Sequence, residues 1–186
     1  MKLQSAAQQK QLEYLRPYLC RWAGPSSTNT SGTSTEKREA GRHRAAPHIK
    51  TYIQFSDAEK MDSIDWAMVS SANLSTQAWG AAVNTSGKVR ICSWEMGVLV
   101  WPGLFVQPES GGTQDQDQGQ QREAVMVPCF QTDVPDAARE AENGEVKVGF
   151  RMPYDLPLTP YTAGDMPWCA TASYSEPDWL GQTWEG

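Results

Sequence analysis

Apolar positions recur at helical spacing near the start of the chain. The recurrence predicts a helix over residues 3–22, with an apolar face formed by Leu12, Leu15, Leu19 and Trp22. Pro17 should kink or split this helix, because a proline in a helix interior removes a backbone hydrogen bond. Residues 24–41 are rich in Ser, Thr and Gly, which predicts a flexible loop.

The central part of the chain carries the alternation of apolar and polar positions that is typical of strands. Alternation from Ile49 to Phe55 predicts one strand. Further strands are predicted over 64–70, 88–94, 97–101 and 146–150, and a short helix over 74–82. Strands interleaved with helices predict an α/β or α+β domain, in which a mixed β-sheet is flanked by helices.

Composition divides the chain into five segments. We expect an N-terminal helical segment (1–23), a flexible basic loop (24–46), a core (47–106), an acidic low-complexity insertion (107–145) and a C-terminal part of the same domain (146–186). Residues 107–121 hold six Gln, two Asp and three Gly, a composition typical of disorder. The tail from Met152 is rich in Pro and Trp and is predicted to be irregular but packed.

The formal net charge of −6 is unevenly distributed. Residues 109–145 hold nine acids and two bases, a net of −7, so the rest of the chain carries +1. Residues 37–50 hold five bases and one acid. This basic stretch is interpreted either as a solvated loop or as a contact for a phosphate backbone.

The four cysteines, at 20, 92, 129 and 169, have no CxxC spacing. We therefore expect reduced thiols in an intracellular protein, and neither a zinc site nor a disulfide framework. The longest apolar run, Val98–Val106, is interrupted by Pro102 and Gly103 and falls short of the ~20 residues that a membrane helix needs. The first residues contain no apolar stretch that predicts a signal peptide.

Two short patterns carry candidate chemistry. His48 and Lys50 should project from one face of a strand, roughly 7 Å apart, and could supply a proton and a fixed positive charge to a phosphate. Asn73, in Ser70–Ser75, lies where a strand passes into a helix, a place that suits anion binding. The alternatives are a chance pair on a solvated strand for the first pattern and a helix N-cap for Asn73. Tryptophans 66, 79, 94 and 101 are interpreted as core residues rather than base-stacking platforms.

These patterns together resemble the second catalytic motif of the tyrosyl-DNA phosphodiesterases, in the phospholipase D superfamily. The resemblance runs through Ala46–Tyr52, Ser70–Ser75, Ala78–Gly80 and Ser93–Leu99, and returns at Pro153–Pro157 and Asp165–Trp168. Other branches of the superfamily have Asp where this chain has Asn73. The resemblance implies one half of a duplicated phospholipase D-like fold. It also implies DNA with a blocked 3′ end as substrate.

The resemblance also implies the role of each residue. His48 would be the general acid and base, and Lys50 and Asn73 would hold the non-bridging phosphate oxygens. Glu95 would orient an active-site imidazole, or else be an ordinary exposed carboxylate. Ser75 would contact the DNA backbone, or else be a first-turn helix residue. Trp168 matches part of the family's aromatic tail on the peptide side, whereas Ala170 departs from it. The reaction implied uses no metal ion or other cofactor.

The family site uses two HxK motifs, and this sequence contains one. The other histidine, His43, is followed by Arg44 and Ala45. We therefore expect the C-terminal half of a phosphodiesterase that lacks the nucleophilic half and is inactive alone. Its expected setting is DNA repair in the nucleus, on 3′-phosphotyrosyl ends that carry a peptide from topoisomerase I, with no membrane partner. The alternatives are a homodimer with a composite site and a non-catalytic DNA- or phosphate-binding module.

Overall fold

The computed structural model describes residues 6–23, 37–42, 48–106, 123–135, 145–168 and 172–186. Along these residues the elements are α1 (Ala6–Leu15), β1 (Cys20–Arg21), β2 (Lys50–Phe55), β3 (Ile64–Ser70), α2 (Thr76–Trp79), β4 (Gly97–Val100), β5 (Ala124–Cys129), β6 (Val146–Arg151) and β7 (Thr159–Pro160). Two 3₁₀ turns cover Arg16–Tyr18 and Pro102–Phe105. The chain divides into two compact units: 1–46 with 152–186, and 47–151.

The first unit corrects the prediction of one helix over 3–22. The α-helix ends at Leu15, and Pro17 lies in the 3₁₀ turn that follows. The chain is then extended and forms β1, which pairs antiparallel with β7. The apolar spacing beyond Pro17 is therefore not helical, because the proline ends the hydrogen-bonded ladder and strand pairing replaces it.

The tail of the same unit is irregular but packed, in agreement with the sequence pattern. Met152 and Leu156 are fully buried, and Leu156 exchanges backbone hydrogen bonds with Arg38. Ala40 is buried as well, so residues 37–42 are an ordered part of this unit. Lys37 lies 2.8 Å from a carboxylate oxygen of Glu39 and 3.4 Å from one of Asp155. Because Lys37 is paired with two carboxylates, its charge no longer supports the interpretation of the basic stretch as a contact for a phosphate backbone.

The second unit contains a five-stranded mixed sheet among its described residues. The order is β2–β3–β5–β6, and β4 also pairs with β3. All pairings are antiparallel except β5 with β6. Ile64, Ala67, Met126, Val127 and Cys129 bury their side chains in this unit. The prediction of a mixed α+β fold with a multi-stranded sheet is confirmed, with few helices.

Two parts of this unit differ from the sequence prediction. Residues 88–94 are not a strand; they bend back toward 81–84 through hydrogen bonds from Ala81 N to Arg90 O (3.3 Å) and Asn84 N to Lys88 O (3.0 Å). The predicted insertion over 107–145 contains the core strand β5. Pro128 argues against an inner strand, but β5 pairs with β3 only at Ile64–Met126, so β3 does not run beside Pro128.

Other predictions fall partly outside the described residues. The low-complexity segment 107–121 lies there, as do residues 24–36 and 43–46 of the predicted loop 24–46, which include His43, and Cys169. Cys20, Cys92 and Cys129 form no disulfide with one another. Across the described ranges, neither helix has the length and apolar character needed to cross a membrane.

Candidate active site

Three adjacent strands bring the predicted site residues to one end of the sheet. Lys50 of β2 is the register partner of Ser70 of β3, and Ser70 is the partner of Gly97 of β4. His48 lies two residues before β2, Asn73 three residues after β3, and Glu95 two residues before β4. Residues of different strands that are 20 or more positions apart in sequence therefore meet at one edge of the sheet.

Gly97 allows the close approach of β4 to β3. A Cβ atom on Gly97 would lie 3.0 Å from both Val69 O and Ser70 Cβ. Contacts this short require a neighbouring backbone to move. The glycine therefore sets the position of Glu95 and Met96, which come immediately before β4.

His48 and Lys50 are in direct contact. The distance between Lys50 Nζ and His48 Nε2 is 3.1 Å. A protonated lysine has no acceptor, so the Lys50 ammonium donates and His48 Nε2 accepts. His48 is exposed and Lys50 half-buried, so one phosphate can reach both.

Glu95 is held by the end of β3. Ser71 Oγ donates to Glu95 Oε2 at 2.5 Å and accepts from Met96 N at 3.0 Å. The Ser71 backbone N–H also donates to Met96 O, at 2.9 Å. Hydrogen bonds from Ser71 and then Ser93, with a smaller contribution from the positive charge of Lys50, lower the pKa of Glu95. The carboxylate is therefore a fixed negative charge within the electrostatic reach of Lys50.

The turn after β3 determines which residue caps α2, a role that the sequence offered to Asn73. Ser75, not Asn73, is the N-cap of α2, and its side chain accepts from Ala78 N at 3.3 Å. The N-cap alternative for Asn73 is therefore wrong, and its side chain is exposed. Tyr52 supports this turn by donating from its hydroxyl to Ala72 O at 3.1 Å.

The short helix α2 packs against β2 through an aromatic pair. The ring centroids of Tyr52 and Trp79 lie 5.5 Å apart with an edge-on interplanar angle of 74°. The helix ends earlier than the predicted residue 82, because Gly80 adopts a positive φ of 94°. A shallow cleft beside this pair is lined by residues that include Ser70, Ala72, Trp79, Glu95 and Gly97.

Sequence reasoning missed two residues at this end of the sheet. Ser71 had no role assigned, although the Ser-x-Asn spacing with Asn73 places it next to the motif. Trp94 is predicted to be a core residue, and this prediction is wrong because its side chain is 101% exposed. Trp66, Trp79 and Trp101 are also exposed in part, so none of the four is a buried core residue.

The assembled groups suit the handling of a phosphate ester. An ammonium at Lys50 and an amide at Asn73 can hold anionic oxygens, and the imidazole of His48 can carry a proton. Within the described residues, no group of three or more His, Cys, Asp or Glu side chains is placed to hold a metal ion. The site offers the ammonium of Lys50, the carboxylate of Glu95, hydrogen-bond donors and the imidazole of His48.

Comparison with known proteins identifies the family. The family model described as Tyrosyl-DNA phosphodiesterase matches residues 1–162. A probable tyrosyl-DNA phosphodiesterase of Schizosaccharomyces pombe is 36% identical over 154 residues, covering 78% of this chain and 26% of the relative. Tyrosyl-DNA phosphodiesterase 1 of Arabidopsis thaliana is 29% identical over 186 residues, covering 92% and 26%. Tyrosyl-DNA phosphodiesterase 1 of Drosophila melanogaster is 33% identical over 129 residues, covering 68% and 17%.

The chain belongs to the tyrosyl-DNA phosphodiesterase family. It spans about a quarter of the length of the S. pombe and Arabidopsis relatives that it matches. The match includes the His48–Lys50 strand, the Ser70–Ser75 turn and the Glu95 segment.

Proposed function

We propose that this chain supplies the acid–base half of a phosphodiesterase that hydrolyses the bond between a DNA 3′-phosphate and a tyrosine. The observation that carries the proposal is the contact of 3.1 Å between Lys50 Nζ and His48 Nε2, which joins a cation for the phosphate to a proton carrier. The family membership supports the type of substrate. The substrate we propose is the DNA end left by a trapped topoisomerase I, and the setting is DNA repair in the nucleus.

The proposed reaction has two steps. In the first, a histidine nitrogen of a second HxK motif, outside this sequence, attacks phosphorus. The bond from phosphorus to the tyrosine oxygen breaks, and His48 gives its proton to that oxygen. In the second step His48 takes a proton from water, the water oxygen attacks phosphorus, and the phosphorus–nitrogen bond breaks. The products are tyrosine, a DNA 3′-phosphate and the regenerated histidines.

The remaining residues have supporting roles in this proposal. When the phosphate binds, Lys50 moves from His48 Nε2 to a non-bridging oxygen. Nε2 then takes up a proton from solvent, and this is the proton that His48 gives to the tyrosine oxygen. Asn73 donates from its amide to another phosphate oxygen. Glu95 balances the positive charges and orients the imidazole of the nucleophilic half. Ser75 faces the DNA strand while it caps α2.

The experiment is a chimera in which this chain replaces the matching quarter of the S. pombe relative. The chimera is assayed in EDTA on a 3′-phosphotyrosyl oligonucleotide, beside His48→Ala and a matched control, Glu59→Ala, in the turn at the other end of the sheet. We expect cleavage that falls 10²–10⁴-fold in His48→Ala, as for loss of a general acid, and is unchanged in the control. A folded His48→Ala chimera with full activity would contradict the proposal.

The isolated chain is assayed in parallel to distinguish the alternatives. We expect no cleavage by the chain alone. Cleavage that rises steeply with chain concentration and requires His48 would instead support a homodimer with a composite site. DNA binding without turnover, even in the chimera, would support a non-catalytic binding module.

A further inference from the structure

An exposed ribbon leads directly out of the site. Residues 81–94, called the ribbon below, begin after α2 and end beside Glu95. The first end of the ribbon follows α2 directly. Its second end is anchored, because Cys92 N donates to Gln77 O of α2 at 2.9 Å and Met96, two residues beyond the ribbon, is bonded to Ser71. The side chain of Asn84 accepts from Ser86 N and Lys88 N, which closes the tip. The ribbon is therefore a turn held by hydrogen bonds, and it extends from the end of the sheet that carries the candidate site.

The ribbon carries two cations that the described structure does not neutralise. Lys88 and Arg90 are exposed, and neither forms an ion pair with a described residue. They alternate with Val89 and Ile91, whose side chains lie nearest Gly80, so the two cations share the opposite side. In an extended segment, alternate residues are about 7 Å apart, close to the separation of successive phosphates on an extended strand.

Charge is polarised along β2, β3, β4 and the segments that connect them. The turn that joins β2 to β3, residues 56–63, holds Asp57, Glu59, Lys60 and Asp62, a net of −2. The opposite end holds Lys50 and the ribbon's Lys88 and Arg90 against Glu95. A polyanion is therefore attracted to the end that carries the site and repelled from the other.

Trp94 adds an aromatic face to this basic edge. It is fully exposed, adjoins Glu95 in sequence and forms no ring contact with a described aromatic residue. Proteins that bind single strands combine cations that follow the backbone with aromatic rings on which bases stack. The ribbon and Trp94 have both components next to a phosphate-handling site.

We propose that the ribbon binds single-stranded DNA, with Lys88 and Arg90 on two phosphates and Trp94 stacked on a base next to the reacting 3′ end. This inference rests on the proposed function, since that function brings a DNA 3′ end to His48 and Lys50. In this proposal the ribbon holds the DNA strand and takes no part in bond cleavage. Loss of its side chains should therefore weaken DNA binding.

The test is fluorescence anisotropy of the full 186-residue chain with a fluorescein-labelled 12-nucleotide single strand, between 50 and 200 mM salt. K88A/R90A should lower the slope of log affinity against log salt by about 1.4, or 0.7 for each phosphate lost. W94A should weaken binding about 5- to 150-fold at every salt concentration without changing the slope, as loss of one stacked base predicts. W94F should retain most of the affinity.

Matched controls remove the same residue types from the other unit. Lys10→Ala and Trp179→Ala each delete an exposed side chain there and should leave both affinity and slope unchanged. Failure of the chain to bind the oligonucleotide, or unchanged values in K88A/R90A and W94A, would overturn the proposal. The proposal would also be overturned if Trp94→Ala changed only the self-association of the chain, measured by sedimentation. The ribbon would then be a contact between copies of the chain.

The two proposals can fail separately. A chimera that cleaves nothing, while the ribbon variants still change DNA affinity as expected, would reject the proposed function and retain the ribbon. Conversely, the chimera could cleave in a way that depends on His48 while DNA affinity does not change in the Trp94, Lys88 and Arg90 variants. That result would retain the proposed function and reject the role of the ribbon.

Discussion

Ser71 and Glu95 are joined side chain to side chain by a hydrogen bond of 2.5 Å. The same Ser71 oxygen accepts from the backbone of Met96, so one hydroxyl fixes both the Glu95 carboxylate and the chain that carries it. The end of β3 therefore determines where the negative charge of the site lies relative to Lys50.

Removing the Ser71 hydroxyl should raise the pKa of Glu95. Its donation to Glu95 is the largest cause of the lowered pKa, so Ser71→Ala should return the pKa toward its ordinary value of 4.5. Carbon-13 NMR titration of the Glu95 carboxyl group measures the change. Ser70→Ala is the neighbouring control, because Ser70 bonds to the backbone of Met96 and Ala72 and not to Glu95. An unchanged Glu95 titration in Ser71→Ala would contradict this account.

Adding a methyl group at Gly97 should displace β4. The new Cβ would contact Val69 O and Ser70 Cβ at 3.0 Å, and overpacking of this kind costs roughly 1–3 kcal/mol. Urea unfolding of Gly97→Ala gives the loss of stability, and the NMR shifts of Glu95 and Met96 report the displacement. Gly164→Ala is the control, since its Cβ would meet no atom within 4 Å. Equal stability of the two variants would show that β4 tolerates the contact.

Two roles of Ser75 can be separated by two substitutions. Ser75→Asp keeps a good N-cap acceptor for Ala78 N and adds a negative charge, whereas Ser75→Ala removes the cap at a cost of about 1 kcal/mol. If Ser75 faces DNA, Ser75→Asp should fold normally but bind single-stranded DNA more weakly than the neutral cap variant Ser75→Asn. Thermal unfolding and anisotropy measure the two effects. Equal DNA affinity of Ser75→Asp and Ser75→Asn would leave Ser75 with the capping role alone.

The Asp165 carboxylate, which is bonded to Thr162 and Arg21, should make stability depend on acid pH. Hydrogen bonds from Thr162, followed by Arg21, lower the pKa of Asp165 from 3.8 to about 2. A lowered folded-state pKa stabilises the fold above the unfolded value, so this contribution is full above pH 3.8 and is lost as pH falls toward 2. Melting temperature measured across this range should fall less steeply in Asp165→Asn. The control is Asp133→Asn, at a side chain that is 77% exposed, which should keep the slope of the unsubstituted chain.

The parts of the fold that the sequence predicts are those that local patterns determine. Alternation predicts β2 and β6, and short apolar runs predict β3 and β4, each within a few residues of its bounds. The strand β5 was not predicted, because it contains Pro128 and lies among acidic residues. Its pairing with β6 also depends on residues distant in sequence. Similarly, Val89 and Ile91 alternate as in a strand, but none of the described strands pairs with them.

In the candidate site, too, the contacts within one strand could be predicted from the sequence, and the contacts between strands could not. Period two brought His48 and Lys50 together, and the structure places their side chains in contact. The role of Ser71 depends on the pairing of β3 with β4 across 24 residues, which no local pattern shows. The exposure of Trp94 was missed for a similar reason, since burial depends on which elements cover a residue and not on its own type.

The central claim is that His48 protonates the departing tyrosine oxygen, and a change of leaving group tests it most directly. The chimera and its His48→Ala variant are compared in single turnovers on a 3′-phosphotyrosyl oligonucleotide and on one with a 3′-p-nitrophenyl phosphate, whose phenol leaves without help from an acid. We expect His48→Ala to slow release of tyrosine by 10²–10⁴-fold and release of p-nitrophenol only slightly. Equal slowing of both leaving groups would contradict the assignment of His48 as the general acid.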